Sequence, residues 1–308
     1  HASSTSCVND SSFEQTLAGS EILAFIHIQT SPLYQKEIIK MTLSEYRKGP
    51  HLSASSIAEY MECSLSYRFS RIDKLKPEFI SDNMTFGSCI HQALADFHQE
   101  RMTGVILNLE QLQERFIYHW TIRALNNDEI KYKSENSFQS LLEQGKSLLK
   151  TYHENFSDEN TVLAIEEPFR FNMDQLPIPI VGVMDLVEED NQGNIIITDF
   201  KTAARSYSES DVAKNPQLTL YHLASRFNGY GDRNIIMKLD VLIKTRTPQF
   251  KRYYTARDTW DELKAVKKIQ AVWKGISKGV FIPNDTSWKC TECFYRIACN
   301  DWHREEAA

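Results

Sequence analysis

Three β-branched segments separated by turn signals limit the possible folds of this 308-residue chain more than any other sequence feature. They read VLAIEEPFRF, IPIVGVMDLVEED and NIIITDFKT, and Asp, Asn and Gly occupy the turn between the second and third. Such runs are typical of strands joined by short turns, so we predict a three-stranded meander over 162–202. IIMKLDVLIK and QFKRYYTA predict two further strands.

Helical periodicity surrounds these strands. Ser53 precedes an apolar-periodic run, as a helix N-cap does, and the segment 84–102 repeats its apolar positions at helical spacing. We predict further helices over 109–125, 137–152, 216–227 and 258–279. The chain has helices first and then strands, with one helix between the third and fourth strands. This order indicates an α/β (α+β) domain with a mixed central sheet and a helical insertion.

Residues 1–40 differ in texture from the rest, being rich in Ser and Thr and then mildly apolar. We predict an N-terminal extension outside the native core, or alternatively an accessory strand or helix on it, and one domain over 41–308. No apolar run approaches the roughly 20 residues that span a bilayer, and the start lacks the order of a secretory signal. We therefore expect a cytoplasmic protein without a membrane partner.

The segment VGVMDLVEEDNQGNIIITDFKTA carries the most informative acidic residues. Strand side chains alternate, so Asp199 and Lys201 share a face, and a turn near Gly193 can bring Asp185 close to Asp199. Two carboxylates with open positions suit Mg²⁺ or Mn²⁺, and Lys201 can orient a water or a phosphate, as phosphodiester hydrolysis requires. The alternative is a strand end with exposed charges.

GVMD followed by ITDFKT resembles the second and third motifs of RecB-like nucleases in the PD-(D/E)xK superfamily. The GxxxH helix of that family is matched by Gly87 and His91, and its QxxxY helix by Gln217 and Tyr221, in family order. The resemblance implies a restriction-endonuclease-like fold and a metal-dependent DNA nuclease, acting on the ends of single-stranded DNA. It implies catalytic roles for Asp185, Asp199, Lys201, Gln217 and Tyr221, and metal ligation by His91, Asp185, Asp199 and the backbone carbonyl of Phe200.

Each transferred residue has a physical role and an alternative. A neutral His91 imidazole can ligate Mn²⁺, although it can also be a satisfied helix histidine. Gln217 and Tyr221 lie four residues apart on one helical face and could contact the DNA backbone, or form a partly buried polar pair. Glu166 resembles an acidic position of many relatives, and a plain surface role is the alternative.

The cysteines form a second constellation. Cys290, Cys293 and Cys299 form CxxCx5C, with Cys63 far upstream, and this spacing alone also suits tetrahedral Zn²⁺. The pattern resembles the iron–sulfur site of AddB-type and CRISPR-associated RecB-like nucleases. That resemblance implies a [4Fe–4S] cluster joining the two ends of the domain. Cys89 reads as a small buried thiol.

The net charge of −6 argues against a protein whose whole surface binds nucleic acid, so we expect any DNA-binding groove to be local and basic. The sequence contains no GxxxxGK[ST] loop, so a helicase motor would belong to a partner, as would a recombination or CRISPR protein. A catalytically idle DNA-binding scaffold and a zinc-binding domain without a DNA role are the alternative functions. One stretch, KTRTPQFKRYY, predicts either phosphate and base contacts or a solvated hairpin through Lys244, Arg246, Lys251, Arg252, Tyr253 and Tyr254.

Overall fold

The computed structural model describes residues 42–133 and 135–305, so the predicted N-terminal extension over 1–40 lies outside the described residues. A five-stranded mixed sheet forms its centre, with the strands in chain order. The three-stranded meander is confirmed as three antiparallel neighbours, followed by one parallel and one antiparallel pairing. After a short parallel pair, β1 (Ile80–Ser81) and β2 (Ile130–Lys131), the sheet comprises β3 (Thr161–Phe171), β4 (Ile180–Glu189), β5 (Ile195–Ala203), β6 (Ile235–Ile243) and β7 (Gln249–Thr255).

The predicted helices are present, with ends close to those expected from periodicity. Ser53 is the N-cap of its helix and accepts a hydrogen bond from the Ser56 backbone N–H. A π-helical turn over Arg68–Ile72 and a 3-10 turn over Trp288–Glu292 were not predicted. The α-helices are α1 (Leu43–Tyr46), α2 (Ala54–Glu62), α3 (Ser64–Tyr67), α4 (Asp82–Met102), α5 (Leu109–Ala124), α6 (Phe138–Glu154), α7 (Glu209–Ala213), α8 (Pro216–Ser225), α9 (Thr259–Ser277) and α10 (Arg296–Glu305).

The sheet has a separate apolar core on each face. On one face α4, α5 and α6 cover side chains such as Phe200 and Leu242, and their own Phe86 and Trp120 are fully buried. On the other face α2, α8 and α9 cover side chains such as Ile197. The helical insertion predicted between the first core helix and the meander is therefore the layer that buries one face.

A third, smaller core joins the first helices to the last residues. We call it the terminal junction, formed by residues 59–69 and 280–299. Leu65, Phe69 and Tyr295 are its buried centre. Tyr60 Oη donates to the Val280 carbonyl at 2.7 Å, across 220 positions of sequence. Within the described ranges, none of the helices combines the length and apolar character that crossing a membrane requires.

Candidate active site

The acidic residues lie where β4 and β5 separate. Pairing of the two strands ends at Leu186 and Thr198, while β5 continues beside β6 to Ala203. Beyond that point, Asp185 Oδ2 accepts a hydrogen bond from the backbone N–H of Phe200 at 2.9 Å. A side chain thus replaces the next strand pairing, which brings the Asp185 carboxylate toward the strand that carries Asp199.

Lys201 is held in a closed ring of polar contacts. Its Nζ lies 2.8 Å and 2.7 Å from the two carboxylate oxygens of Asp199. It also donates to Gln217 Oε1 at 3.0 Å. Gln217 Nε2 donates to Tyr221 Oη at 2.7 Å, and that hydroxyl donates back to Asp199 Oδ1 at 3.4 Å. The ring fixes the ammonium group beside the strand end, as the sequence predicted for Asp199 and Lys201.

Tyr221 does not reach the surface. Its side chain is 2% exposed, and both contacts of its hydroxyl are inside the ring. Burial, followed by the charges of Asp185 and Asp199, raises the pKa of Tyr221 well above its usual value, so the hydroxyl keeps its proton. Tyr221 and Gln217 therefore form a partly buried polar pair in this arrangement, and their contact with DNA stays a prediction.

His91 approaches the carboxylates from α4. Its Nδ1 lies 3.4 Å from Asp185 Oδ2, and its ring packs edge-on against the Phe200 ring with centroids 6.3 Å apart. Burial and the charge of Lys201 lower the pKa of His91 to about 4, so the imidazole is neutral at pH 7 and a nitrogen lone pair is available. At Gly87, about one turn earlier on α4, a Cβ would lie 3.2 Å from Thr202 Oγ1, which is a tight contact.

The two carboxylates are unevenly satisfied. Burial and the charge of Asp199 raise the pKa of Asp185 well above its ordinary range. Burial lowers the pKa of Lys201, but Asp199 and Asp185 outweigh it and raise that pKa, so Lys201 remains a cation. Asp199 is fully buried, and its Oδ2 faces the Lys201 ammonium at 2.7 Å without the geometry of a hydrogen bond. Crowded negative charge with an unsatisfied acceptor suits a bound cation.

The donor set matches what Mg²⁺ or Mn²⁺ accepts. Magnesium is commonly held by one or two carboxylates and several waters, and manganese also accepts imidazole. In the part of the chain that the structure describes, no three His, Cys, Asp or Glu side chains lie close enough to hold a metal ion by themselves. Asp185, Asp199, His91 and the Phe200 carbonyl are the groups that would surround an ion here.

A sequence model of the PD-(D/E)XK nuclease superfamily matches residues 51–300, which include every residue of this site. The chain belongs to the PD-(D/E)XK nuclease superfamily. It is therefore a nuclease-family protein, of a class that hydrolyses phosphodiester bonds and generally uses Mg²⁺ or Mn²⁺. No curated protein sequence matches the chain.

One solved structure supports the fold, and a second aligns weakly. A Eubacterium rectale protein proposed to be an exonuclease aligns with a TM-score of 0.52 at 11% identity, over 80% of this chain and 90% of that one. The crystal structure of SSO0001 aligns at 12% identity over 79% of this chain and 93% of that chain, with a TM-score of 0.31. The first similarity confirms the restriction-endonuclease-like arrangement of a mixed sheet between helices.

Glu166 is also close to the site of the nuclease. The pairs Ile165–Leu186 and Glu167–Met184 place it opposite Asp185, with which it interacts electrostatically. Its backbone has a φ of 49°, which is rare for Glu and often occurs at functional sites. Desolvation raises its pKa, although the residue reaches solvent. No sequence signal could indicate this backbone conformation.

Arg257 positions the helix that carries Gln217, and sequence reasoning missed it. The side chain is buried, and all of its N–H groups are used. It donates to Thr219 Oγ1 within α8, to the carbonyls of Val212 and Asn215 before α8, and to two groups of its own segment. These contacts fix the start of α8 relative to β7.

The predicted basic and aromatic hairpin is only partly available to DNA. Arg252 forms a two-point ion pair with Asp240 at 2.8 and 2.9 Å, and Tyr253 is buried with its hydroxyl donating to a carbonyl. Lys244 donates to Asn83 at 2.6 Å. These three residues have structural roles. Arg246, Lys251 and Tyr254 are exposed.

The predicted cysteine ligands lie together in the terminal junction. Cys63, Cys290, Cys293 and Cys299 line one cavity of about 930 Å³, and all four are free thiols. Burial raises the pKa of Cys293, and the charges of Cys63 and Cys290 raise it further. Among the described residues no three of these thiols lie close enough together to hold a metal ion, so the cluster stays a prediction. Cys89 is fully buried outside this group, as predicted.

Proposed function

We propose that this chain is a Mg²⁺- or Mn²⁺-dependent deoxyribonuclease that digests single-stranded DNA from its ends. It would act in the cytoplasm in DNA repair, recombination or CRISPR- or phage-related processing, with a helicase or recombination protein supplying unwound strands. The observation that carries the proposal is the convergence of Asp185, Asp199 and Lys201 where β4 and β5 separate. The structural neighbour proposed to be an exonuclease supports end-dependent digestion.

The residues divide the chemistry between them. Asp185, Asp199, His91 and the Phe200 carbonyl would hold the metal ion, which supplies charge neutralisation and a lowered water pKa. Lys201 can donate a hydrogen bond to the attacking water or to a phosphate oxygen, since its side chain is 26% exposed and it stays cationic. Gln217 and Tyr221 hold Lys201 and Asp199 in place and would not touch the DNA.

We further propose that Cys63, Cys290, Cys293 and Cys299 hold a [4Fe–4S] cluster, with Zn²⁺ as the alternative. The four free thiols on one cavity support either ion. An anaerobic preparation should be brown, with iron and sulfide in equal amounts. A colourless preparation containing one zinc per chain would favour the alternative, and Cys293→Ser should lose the bound group in both cases.

The decisive experiment uses single-stranded DNA labelled at the 5′ or the 3′ end, with Mg²⁺ or Mn²⁺. Lys201→Ala should reduce the cleavage rate by about 100-fold or more, since a group that stabilises transition-state charge is lost. Lys267→Ala, an exposed lysine on α9, is the matched control and should cut normally. Product ladders from the two labels give the polarity.

Equal cutting by Lys201→Ala and the native chain would refute the assignment of the site. If the native chain with its bound group intact cuts neither DNA nor RNA, the idle DNA-binding scaffold becomes the better description. RNA cut in preference to DNA would correct the substrate. Circular dichroism and thermal unfolding of each variant show whether the fold is retained.

A further inference from the structure

One exposed face of α4 leads to the candidate active site. Met84, Ser88 and His91 are four and three residues apart, so they lie on the same side of the helix. Met84 is 65% exposed and Ser88 is exposed, while His91 at the end of the row faces Asp185. Seven residues of helix span about 10 Å. A ligand lying along this face would therefore end at the metal-binding carboxylates.

The beginning of this face opens into an apolar and aromatic groove. Met84 lines, with Phe79 and Trp288, the cavity that the four cysteines also line. Acidic residues line other parts of it, namely Glu59, Glu62, Asp285 and Glu292. Trp288 is 74% exposed, and the ring of Phe79 packs on that of Phe294 with centroids 5.0 Å apart. An aromatic surface left open to solvent is characteristic of a binding site. Flat rings beside a flexible methionine can stack on bases of any sequence.

Two cations follow the same helix. Lys131 is exposed, stands beside Ser81 through the β1–β2 pairing, and has its Nζ 4.5 Å from the Phe79 ring centroid. Arg123 donates to Ser88 Oγ at 2.8 Å. Ser81 and Ser88 are separated by two helical turns, about 10 Å, which matches roughly three nucleotides at the ~3.4 Å spacing of a stacked strand. One cation thus stands beside Ser81 and one beside Ser88, where phosphates can contact them.

We propose that this surface, the α4 track, binds an unpaired strand of nucleic acid and leads it to His91 and Asp185. The α4 track consists of Phe79, Met84, Ser88, Trp288, Lys131 and Arg123. The bases stack on the aromatic side, and the phosphates contact the two cations. A duplex lacks free bases for the groove, so the track selects single strands. The cutting of the strand rests on the function proposed above, whereas its binding does not.

The test measures binding of a fluorescein-labelled single-stranded oligonucleotide by anisotropy, without added divalent cation, and of a blunt duplex of the same sequence. Trp288→Ala should weaken single-strand binding about fivefold or more, since a stacking partner is lost. Lys131→Gln should lower the slope of log affinity against log salt by about 0.7. The matched controls are Trp260→Ala, 59% exposed, and the exposed Lys268→Gln, both on α9 across the sheet from α4.

The proposal is overturned if Trp288→Ala weakens binding no more than Trp260→Ala, or if single-strand and duplex affinities fall together. It is also overturned if Lys131→Gln and Lys268→Gln give the same salt slope. Unchanged visible absorbance and thermal unfolding show that Trp288→Ala keeps the terminal junction. A chain that shows the expected binding pattern but no cleavage would refute the proposed function and leave the α4 track standing. If the native chain cleaves DNA but Trp288→Ala and Lys131→Gln bind it as the native chain does, the α4 track is refuted and the proposed function stands.

Discussion

The charge of Lys201 depends on its immediate neighbours. An ammonium group that is largely removed from water would lose its proton more easily, but the two carboxylates reverse that effect. Gln217 then fixes where the ammonium points, because its amide oxygen accepts from Lys201 and its amide nitrogen donates to Tyr221. A rigid cation beside a strand end costs no reorganisation during the reaction.

Tyr221 offers a direct test of whether this pair positions Lys201 or contacts DNA. Tyr221→Phe removes two hydrogen bonds from the ring and leaves the surface unchanged. We expect the cleavage rate to fall about tenfold, corresponding to roughly 1.4 kcal/mol, with unchanged affinity for single-stranded DNA. Rate and affinity are measured separately, the latter without metal. A loss of affinity with an unchanged rate would instead identify Tyr221 as a DNA contact.

His98 should make the protein sensitive to mild acid. It is almost completely buried, its Nε2 lies 2.8 Å from Tyr152 Oη, and burial lowers its pKa to about 3 from an ordinary 6.5. The unfolded chain therefore binds a proton that the folded chain excludes. The contribution of neutral His98 to the free energy of unfolding is fully present above pH 6.5. It is lost as the pH falls toward 3, by up to about 1.4 kcal/mol per pH unit.

Chemical denaturation at pH 7, 6 and 5 measures this effect. The free energy of unfolding of the native chain should fall across the series, and His98→Gln should reduce the slope over the same interval. His303→Gln, an exposed histidine on α10, is the control and should leave the slope unchanged. Identical slopes for the native chain and His98→Gln would show that His98 is not the source of the acid sensitivity.

At the scale of elements, the geometry of the site depends on the contacts that fix α8 against its neighbours. Arg257 is a buried guanidinium whose partners are all neutral oxygens, three of them within or just before α8. A lysine at this position could make only some of the hydrogen bonds that Arg257 donates. We expect Arg257→Lys to lower the free energy of unfolding by about 2–4 kcal/mol, because buried carbonyls lose their donors.

The activity of Arg257→Lys distinguishes positioning from stability alone. Under conditions where the variant is fully folded, its cleavage rate should still fall several-fold, since Gln217 moves with α8, and its affinity for DNA should stay constant. Arg233→Lys, which changes a half-exposed ion pair with Glu189, should cost at most about 1 kcal/mol and leave the rate unchanged. A fully folded Arg257→Lys chain with native rate would limit Arg257 to a stabilising role.

Periodicity and turn signals were sufficient to predict the five strands of the sheet and the longer helices, but not short elements such as β1, β2 and α7. The meander, the crossing helix and the N-cap at Ser53 follow from local sequence, which the tertiary structure does not override. Gly182 was noticed as part of a motif, and the structure adds the reason: a Cβ there would lie 2.3 Å from the Phe169 ring. Asp185, Asp199 and Lys201 lie on predicted strands, and His91 lies on a predicted helix, whereas Cys63 lies in extended backbone between α2 and α3 and not within a helix.

The sequence did not predict the contacts between side chains of different elements. Nothing local indicates that Asp185 accepts a hydrogen bond from the Phe200 backbone, or that Tyr221 is enclosed rather than open to DNA. The positive φ of Glu166 and the seating of α8 by Arg257 likewise depend on neighbours far along the chain. Packing decides these features, and packing is a property of the assembled layers.

At the scale of the whole molecule, the sheet and the terminal junction are separate units of stability. The sheet has a core on each face, whereas the junction has a small apolar centre and the four thiols. We expect Cys293→Ser to raise hydrogen exchange over 280–299 and 59–69 while leaving β5 protected, because the proposed cysteine-bound group would hold only the junction. Hydrogen exchange with mass spectrometry measures this.

Cys89→Ala is the comparison for that experiment. It removes a buried thiol from the α4 core, so it should lower stability modestly without altering exchange in the terminal junction or the visible absorbance. Increased exchange throughout β5 in Cys293→Ser would mean that the junction and the sheet unfold as one unit.

The terminal junction also imposes an order in time on the making of the protein. Its hydrogen bonds connect residues 217 to 227 positions apart, from Leu65–Ile282 to Glu62–Lys289. At about 5–20 residues per second, a ribosome needs roughly 10 to 45 s to deliver the second half after the first. During that interval the helix ending at Cys63 has been synthesised without its partners, so its thiol and the apolar side chains around it must be shielded from oxidation and aggregation until the last segment emerges.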